Sequence, residues 1–368
     1  MALNVGVVGL RGIGNQHADA HSKDPLSRLV AVCDLVKERA DSTAAKYGAK
    51  PYYGLRAMLE SEPDLDVVDV CTGGYENGSW HYEPAMEAMA AGKHVLVEKP
   101  LSSDVRQARE MVATAKAKRV YLGCNLNHYF TPTAERAKQY MQDGEVGELV
   151  YCLGKMGFQG SEPENYKASD APPMKGFPYF HLKAFLSHPF SVLRYFCGDV
   201  THVQAFLSRP GFRKRAGDVM LSTASIHLRF ANDCAGYLLS QRGDASYGLG
   251  GWWSVEVAGT HGTFCIENCI ERLTYWKAPD AGGPGRPLQA DPNAPGGPVV
   301  TNSGTADFGQ TFPRRIHAFM EDITNKVPLD QLRASGRDAL AALEYTWAAM
   351  ESYEQGGALV RPHPLPPL

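Results

Sequence analysis

The sequence predicts an α/β protein of two domains, the first built on a parallel sheet and the second on an open, mainly antiparallel sheet. In the first third of the chain, short apolar runs alternate with helical segments, which is typical of βαβ units and of a sheet covered on both faces. From about residue 148, apolar and polar side chains alternate with a period of two, as in half-buried antiparallel strands. We therefore expect a dinucleotide-binding domain over residues 1–125 and an α+β domain over residues 126–368. The last helix of the second domain is free to pack back on the first.

Five strands and four helices are predicted in the first domain. Runs rich in Val, Ile and Leu favour strands, and Asp104 and its neighbours Ser102 and Ser103 are N-cap candidates for the last helix. The predicted strands are 3–8, 29–33, 66–71, 94–98 and 119–124. The predicted helices are 13–21, 36–47, 80–91 and 103–118.

The second domain is predicted to hold six or more strands, followed by two helices. Residues 278–304 are rich in Pro and Gly, which predicts a long irregular loop. Strands are predicted at 148–157, around 220–230, and at 200–208, 234–242, 252–259 and 262–277. Helices are predicted at 309–326 and 334–354.

Composition limits the partners of the chain. The 368 residues carry a formal net charge of −3, so no basic excess favours nucleic acid or a membrane surface, and small molecules are the expected partners. The 8 cysteines include no Cys-x-x-Cys pair and lie mostly in apolar runs. We expect buried, reduced thiols, no metal site and a cytoplasmic location. The start of the chain has no basic region of the kind that opens a secretory signal, and no apolar run is long enough to span a bilayer.

A glycine-rich turn after the first strand predicts a dinucleotide site. Gly9 and Gly14 fit the G-x-G-x-x-G pattern, in which glycines let backbone N–H groups approach a pyrophosphate at a helix N-terminus. Arg11 occupies the middle glycine position, and Gly12 follows it. The Arg11 side chain either contacts the pyrophosphate or blocks its close approach.

Asp34 ends the second strand 20 residues after Gly14, where a carboxylate accepts hydrogen bonds from the adenosine ribose. A carboxylate there repels a 2′-phosphate, which favours NAD over NADP. The nearest following cation in the sequence is Lys37.

The run from Lys93 to Pro100 predicts the reactive end of the site. A short apolar strand ends there in Glu98-Lys99, and Pro100 stops further pairing. Ligands of open parallel sheets bind outside the carboxyl ends of the strands, so Lys99 is expected beside the cofactor rather than in a surface salt bridge.

Several motifs occur in an order that resembles one known family. They are Gly9 to Gly14 with His17, Asp34, Thr72, His81, Ala91-Gly92-Lys93-His94-Val95, Glu98-Lys99-Pro100, Asn127-His128-Tyr129-Phe130-Thr131-Pro132, Gly144-Glu145-Val146-Gly147-Glu148 and Ala258-Gly259-Thr260-His261-Gly262-Thr263. This order resembles the Gfo/Idh/MocA oxidoreductases, which include glucose-fructose oxidoreductase and inositol dehydrogenase. The resemblance implies a Rossmann domain, NAD(P), a sugar or polyol substrate, and a homodimer or homotetramer formed through the open face of the second sheet.

The strand-end pattern, the resemblance and the segments beside the site together give the expected site residues. Catalysis is expected from Lys99 and His188, with His181 as a further candidate. Tyr179, Lys183 and His128 are expected to contact the substrate. The cofactor-binding residues are expected to be Gly9, Arg11, Gly12, Ile13, Asp34, Thr72, Gly73, His81, Glu98 and Lys99.

The active-site helix departs from the family pattern D-x-G-x-H-x-x-D. His188 is kept, but Ala184 and Ser191 replace the two aspartates. The first aspartate would orient the histidine or join a proton relay. If 181–188 is helical, His181 lies on the same face as His188 and either it or Lys183 supplies the missing polar function.

Two segments beside the site are also unusual. A glycine-rich loop separates Thr72 from His81 and either reshapes the substrate pocket or touches the cofactor. The polar segment from Gly160 to Tyr179 is a candidate lid. Of Trp252 and Trp253, one is expected in the core and the other against a sugar face.

Three hypotheses for function follow. The first is an NAD-dependent dehydrogenase that transfers a hydride between nicotinamide and a hydroxyl carbon of a polyol, sugar or glycoside. The second is a redox-neutral glycoside hydrolase or lyase that holds NAD tightly and oxidises the sugar transiently. The third is a non-catalytic dinucleotide-binding regulator, which the retained Lys99 and His188 disfavour.

Overall fold

The computed structural model describes residues 2–73, 80–158, 177–211, 214, 219–242, 252–278, 297–303 and 308–367. Most of the predicted lid, most of the glycine-rich loop before His81 and most of the predicted Pro/Gly loop lie outside the described residues.

A parallel sheet of six strands forms the first half of the molecule, in the order β3-β2-β1-β4-β5-β6. The strands are β1 (Leu3–Val8), β2 (Ser27–Cys33), β3 (Lys50–Tyr52), β4 (Val67–Val70), β5 (His94–Val97) and β6 (Leu122–Cys124). All five predicted strands are present. The sequence analysis missed β3, since its three residues include Lys50 and Pro51 and form no apolar run.

Five helices accompany this sheet: α1 (Gly12–Lys23), α2 (Lys37–Tyr47), α3 (Leu55–Ser61), α4 (Tyr82–Ala90) and α5 (Val105–Lys118). Asp104 is the N-cap of α5, and its side chain accepts a hydrogen bond from the Arg106 N–H at 2.8 Å. Helix α3 was not predicted.

The second sheet has eight strands in the order β14-β13-β12-β11-β7-β10-β9-β8. They are β7 (Leu149–Phe158), β8 (Val200–Ser208), β9 (Thr223–Phe230), β10 (Ala235–Arg242), β11 (Trp253–Gly259), β12 (Gly262–Glu267), β13 (Arg272–Lys277) and β14 (Val299–Asn302). Only β7 and β10 pair in parallel among these neighbours. The α/β architecture with a mainly antiparallel second sheet is therefore confirmed.

Two predictions for this sheet need correction. The span 262–277 is two strands, because Asn268 and Cys269 adopt positive φ angles and turn the chain between them. The prediction of one irregular loop over 278–304 is wrong at 299–302, where Val299 to Asn302 pair with β13. The β-branched residues Val299, Val300 and Thr301 explain that strand.

Five further helices lie after the parallel sheet in the described part of the chain. They are α6 (Pro132–Gln142), α7 (Phe180–Phe185), α8 (Ser187–Cys197), α9 (Thr311–Thr324) and α10 (Gly336–Glu354). Helix α10 packs on both β8 and α5, where Glu344 binds Arg109 through two hydrogen bonds. Helix α9 packs on α1. The described helices include none that is long and apolar enough to cross a bilayer.

Candidate active site at the edge of the parallel sheet

The turn between β1 and α1 needs glycine at two positions and leaves space at a third. Gly9 has a φ of +89°, and a Cβ there would lie 2.8 Å from the Thr72 nitrogen. A Cβ on Gly14 would lie 1.7 Å from the Gly9 carbonyl oxygen. A Cβ on Gly12 would meet no atom within 4 Å, so this side of the turn is open.

The open side faces the N-terminus of α1, which has no side-chain cap and no acidic residue in its first turn. Arg11, Gly12 and Ile13 are all exposed there. Because the first N–H groups of a helix lack intrahelical acceptors, they are available to an anion. This donor set fits the pyrophosphate of a dinucleotide.

Asp34 lies at the end of β2, and protein groups already donate four hydrogen bonds to its carboxylate. Oδ2 accepts from the Leu10 N–H at 2.8 Å and from Arg39 Nε at 3.1 Å. Oδ1 accepts from the Val36 N–H at 2.8 Å and from Arg39 at 2.7 Å. Burial alone would raise the pKa of Asp34, but the bonds from Arg39 and the two N–H groups outweigh it and lower the pKa.

The cation beside Asp34 is therefore Arg39. Lys37, the nearest following cation in the sequence, binds Asp41 through its ammonium at 2.5 Å. Arg39 comes five residues after Asp34, in the first turn of α2, and no sequence pattern marked it as the partner of the carboxylate.

Lys99 follows β5, the strand next to β4, and is partly buried. Its ammonium forms no hydrogen bond or ion pair with any residue that the structure describes. Thr72 and Gly73 follow β4, and Thr72 Oγ1 donates to the Trp80 carbonyl at 2.5 Å. His81 precedes α4, and its Nδ1 donates to the Pro100 carbonyl at 2.7 Å, which ties α4 to the segment after Lys99.

A buried ionic network lies behind Lys99. His17 on α1 donates from Nδ1 to Asp69 on β4 at 2.8 Å and from Nε2 to Glu98 at 3.1 Å. Asn125 also donates to the Glu98 carboxylate, and the Lys99 N–H lies 3.1 Å from its other oxygen. The Glu98 side chain, predicted to bind the cofactor, therefore contacts protein groups that hold the end of β5.

The three central groups of this network favour one another's charged forms. Burial would lower the pKa of His17, but Asp69 outweighs it and the pKa is raised well above the ordinary value. Burial would likewise raise the pKa values of Asp69 and Glu98, yet His17 lowers both. An imidazolium between two carboxylates thus fixes α1, β4 and β5 together.

His128 and His188, which both feel the charge of Lys99, form a stacked pair. His128, in the 3₁₀ turn Asn127–Tyr129, lies face to face with His188 in the first turn of α8. Their ring centroids are 3.7 Å apart and their planes differ by 13°. Phe308 and Trp252 pack against His128, at 4.9 and 6.0 Å between centroids. Trp253 is in the core, as expected for one of the two tryptophans.

Both imidazoles are held neutral. Burial lowers the pKa of His128 and of His188 well below the ordinary value, and the positive charge of Lys99 acts in the same direction. The Nδ1 atoms of both rings are buried and have no hydrogen-bond partner in the described part of the chain. A carboxylate next to His188 is thus absent from the described residues, in keeping with Ala184 and Ser191.

The other predicted substrate and catalytic residues lie in different surroundings. The continuous helix considered over 181–188 is broken at Leu186 into α7 and α8, and Pro189 takes a first-turn position of α8. His181 is fully buried and its Nε2 lies 2.9 Å from the Ser240 hydroxyl. Lys183 lies over the Trp347 ring at 5.1 Å, and the Tyr179 hydroxyl donates to Glu354 at 2.7 Å.

Sequence reasoning missed several members of the site. Asp69 had a visible signal, because a carboxylate inside the apolar run Val67–Val70 must be paired when buried. Asn125, His21 and Arg39 had none. His21 lies one turn after His17 and donates to the same Asp69 oxygen at 2.9 Å.

Comparison with known proteins identifies the family of the chain. The profile described as "Oxidoreductase family, NAD-binding Rossmann fold" (GFO_IDH_MocA) matches residues 3–126, and the family's C-terminal domain profile matches residues 134–265. An uncharacterized oxidoreductase, YrbE, of Bacillus subtilis is 30% identical over 72% of this chain and 73% of its own. Myo-inositol 2-dehydrogenase of Thermotoga maritima is 28% identical over 96% and 97%.

Solved structures share the fold. An NAD-binding oxidoreductase from Klebsiella pneumoniae has a TM-score of 0.79 at 24% identity, covering 99% of this chain and 100% of its own. A levoglucosan dehydrogenase in complex with NADH has a TM-score of 0.79 at 22% identity, with the same coverage. The glycine-rich turn of this chain, Gly9 to Gly14, is the glycine cradle of the candidate cofactor site. The matches to these profiles and proteins show that the chain belongs to the Gfo/Idh/MocA oxidoreductase family and is an NAD-binding enzyme that acts on CH–OH groups.

Proposed function

We propose that the enzyme is a dehydrogenase that transfers a hydride between NAD and a hydroxyl carbon of a polyol, sugar or glycoside. The observation that carries this proposal is the convergence of an unpaired lysine ammonium and a neutral histidine at the strand edge that also bears the glycine cradle. A carbinol group oxidised there loses a hydride and a proton. Bound NAD would accept the hydride, and Lys99 and His188 would handle the proton.

The cofactor is assigned to the residues of the cradle and the strand ends. Gly9, Gly12, Ile13 and Arg11 would hold the pyrophosphate, and Asp34 would face the ribose. Thr72 and Gly73 after β4 and His81 before α4 are assigned to the nicotinamide end, because ligands of open parallel sheets bind outside the carboxyl ends of the strands. When bound, NAD accepts the hydride.

Removal of the proton from the substrate hydroxyl is assigned to Lys99 and His188. The Lys99 ammonium has no protein partner among the described residues, so it can donate a hydrogen bond to the substrate oxygen and stabilise charge that develops there. His188 is neutral and can accept the proton. Glu98 and His17 act behind Lys99 by fixing the end of β5, which makes them positioning residues.

We assign substrate contact first to His128, because its ring stacks on the ring of His188. Tyr179, Lys183 and His181 remain predicted site residues. The names of the relatives support the substrate class: levoglucosan dehydrogenase and myo-inositol 2-dehydrogenase act on a sugar derivative and a polyol.

A redox-neutral reaction is the second candidate. It is favoured by one observation, the lack of a carboxylate beside His188 in the described structure. An enzyme that returns the hydride to its own product needs no lasting transfer of the proton to solvent. Substrate would then be consumed without accumulation of NADH.

We also propose that the chain forms a homodimer or homotetramer through the open face of the second sheet. Tyr151 and Leu153 project from the central strand β7 on this face, with exposed fractions of 38% and 45%. Exposed apolar side chains at the centre of a sheet favour association. Sedimentation of the purified chain, beside a Leu153→Asp variant, tests it.

The deciding experiment is a titration of the purified enzyme with NAD and NADP, followed by NADH absorbance over a panel of polyols, sugars and glycosides. Formation of NADH with one substrate group supports the dehydrogenase. Substrate consumption without NADH supports the redox-neutral reaction. Binding of NAD without reaction on any compound of the panel would count against both.

A further inference from the structure

Three cysteines from separate elements meet in the second half of the molecule. Cys152 lies on β7, Cys197 ends α8, and Cys234 immediately precedes β10. Their Sγ atoms all lie within 4.8 Å of one another, and each side chain is buried. The sequence analysis expected no metal site because these residues are far apart in the chain. Folding brings them together where α8 packs on the sheet.

The backbone around the three sulfurs is held in place. The Asn232 side chain donates to the Cys197 carbonyl at 3.2 Å and accepts from the Cys234 N–H at 3.2 Å. Gly236 pairs with Cys152 across β7 and β10, and a Cβ on it would lie 3.1 Å from Cys152 Sγ and 2.7 Å from the Phe230 ring. Asn232 therefore links the backbones of Cys197 and Cys234, and Gly236 packs closely against Cys152.

A cation lies close to the cluster. Lys138 on α6 donates to the Tyr195 carbonyl at 2.6 Å, and its ammonium lies 4.7 Å from the Tyr195 ring centroid. Tyr195 lies two residues before Cys197, so this ammonium lies beside the end of helix α8 that carries one of the three cysteines.

We propose that Cys152, Cys197 and Cys234 bind one Zn²⁺ ion as thiolates. Three thiolates, a divalent ion and the Lys138 ammonium together carry no net charge, which suits a buried site. With Zn–S bonds of about 2.3 Å, the sulfurs of a three-thiolate site lie roughly 4 Å apart, so the closure needed from the observed separations is less than about 1 Å. The adjoining turn residues Asn232 and Asp233 are exposed, so the ion and a water as the fourth ligand would enter from that side.

The ion would have a structural role in this enzyme. Helix α8 carries His188 in its first turn and Cys197 at its last residue. A zinc ion at Cys197 would fasten the C-terminal end of that helix to β7 and to the start of β10. Its removal should therefore loosen the helix that carries His188.

The test measures metal on the full-length enzyme purified without chelator. Zinc is quantified per chain by mass spectrometry. The apo enzyme is then titrated with Cd²⁺, which gives an ultraviolet thiolate-to-metal charge-transfer band. We expect one tightly bound ion in the wild type, and no tight binding by Cys197→Ser or Cys234→Ser. Cys265→Ser, whose sulfur lies outside the cluster, is the matched control and should bind as the wild type does.

NAD binding shows that each variant has folded, and it is independent of any substrate. A wild type that carries no zinc and gives no cadmium band would overturn the proposal and leave the three thiols as packed core side chains. Equal cadmium binding by Cys234→Ser and the wild type would overturn it as well, because the ion would then lie elsewhere. Neither outcome bears on the dehydrogenase proposal, which the substrate panel tests.

Discussion

The imidazole rings of His128 and His188 stack face to face, with centroids 3.7 Å apart and planes 13° from parallel. A histidine that is oriented by a carboxylate has its tautomer and its ring plane fixed by a bond at Nδ1. In this enzyme the Nδ1 atom of His188 has no such partner among the described residues, and the ring plane is fixed by stacking instead. His128 therefore holds His188 in place by ring contact rather than by a hydrogen bond.

The first prediction concerns that contact. His128→Phe keeps a flat ring against His188 and removes both nitrogens, whereas His128→Ala removes the ring. If stacking on His188 is the larger contribution of His128 and substrate contact the smaller one, we expect His128→Phe to retain most of kcat/KM and His128→Ala to lose about 10–100-fold, since small misplacements of a reacting group are costly. NAD affinity should stay unchanged in both. An equal loss in the two variants would assign the effect to the nitrogens of His128, as expected of a direct substrate contact.

The second prediction concerns pH. Burial and the charge of Lys99 lower the pKa of His188, so its imidazole stays neutral, and able to accept a proton, below the ordinary value of about 6.5. The acid limb of the pH profile of kcat/KM for alcohol oxidation should therefore fall below pH 6.5. A limb above that value would show that a carboxylate faces His188 in the working enzyme, or that another group is the base.

The third prediction separates catalysis from cofactor binding at Lys99. Lys99→Met removes the ammonium but keeps most of the side-chain volume. We expect turnover to fall by about 10²–10³-fold, as for loss of a preorganised donor to a developing oxyanion, while the Kd for NAD changes little. Lys93→Met is the control, because the Lys93 ammonium binds the Pro63 carbonyl at the far end of the same strand. A large loss of NAD affinity in Lys99→Met would assign the lysine to the cofactor alone.

The fourth prediction concerns the choice between NAD and NADP. All four hydrogen bonds at the Asp34 carboxylate come from protein groups, and Arg39 supplies two of them. Asp34→Ser removes the negative charge and frees the guanidinium, which is suited to a phosphate. We expect NADP to bind about 10-fold more tightly or better, as for a hydrogen bond to a charged group. Fluorescence titration of both cofactors gives the ratio, and Asp34→Ser with Arg39→Gln should lose the gain.

Much of the fold could be predicted from periodicity. Strands β1 and β8 begin and end at the predicted residues, because a run rich in apolar residues and an alternating run are each typical of strands. Strands β3 and β14 could not be predicted in this way. Lys50 and Pro51 give β3 no apolar run, and the short β-branched run of β14 lies within a Pro- and Gly-rich stretch of sequence, where it pairs with β13.

The site was predictable where chemistry is local in sequence and unpredictable where it depends on packing. Lys99 and Asp34 follow from their places at strand ends. The stacking of His128 on His188 joins a turn and a helix that are 60 residues apart, and no spacing rule relates their ring planes. The partner of Asp34 depended on which side chain of α2 turns back toward β2.

The last prediction concerns the buried network of His17. The pKa of His17 is raised in the folded protein, so its stabilising effect is fully present below the unfolded value of about 6.5 and is lost as the pH rises through the higher folded value. Asp69 and Glu98 have lowered pKa values, so their contribution is present above about pH 4.3 and is lost only as the pH falls through the lower folded values. His17→Gln should therefore cost about 3 kcal/mol or more of unfolding free energy between roughly pH 4.3 and 6.5, because it leaves two buried carboxylates without their cation. The difference from the wild type should shrink as the pH rises further, while His363→Gln, at an exposed position, should have little effect. Urea unfolding at several pH values measures both, and a difference that does not change with pH would show that His17 is neutral in the folded enzyme.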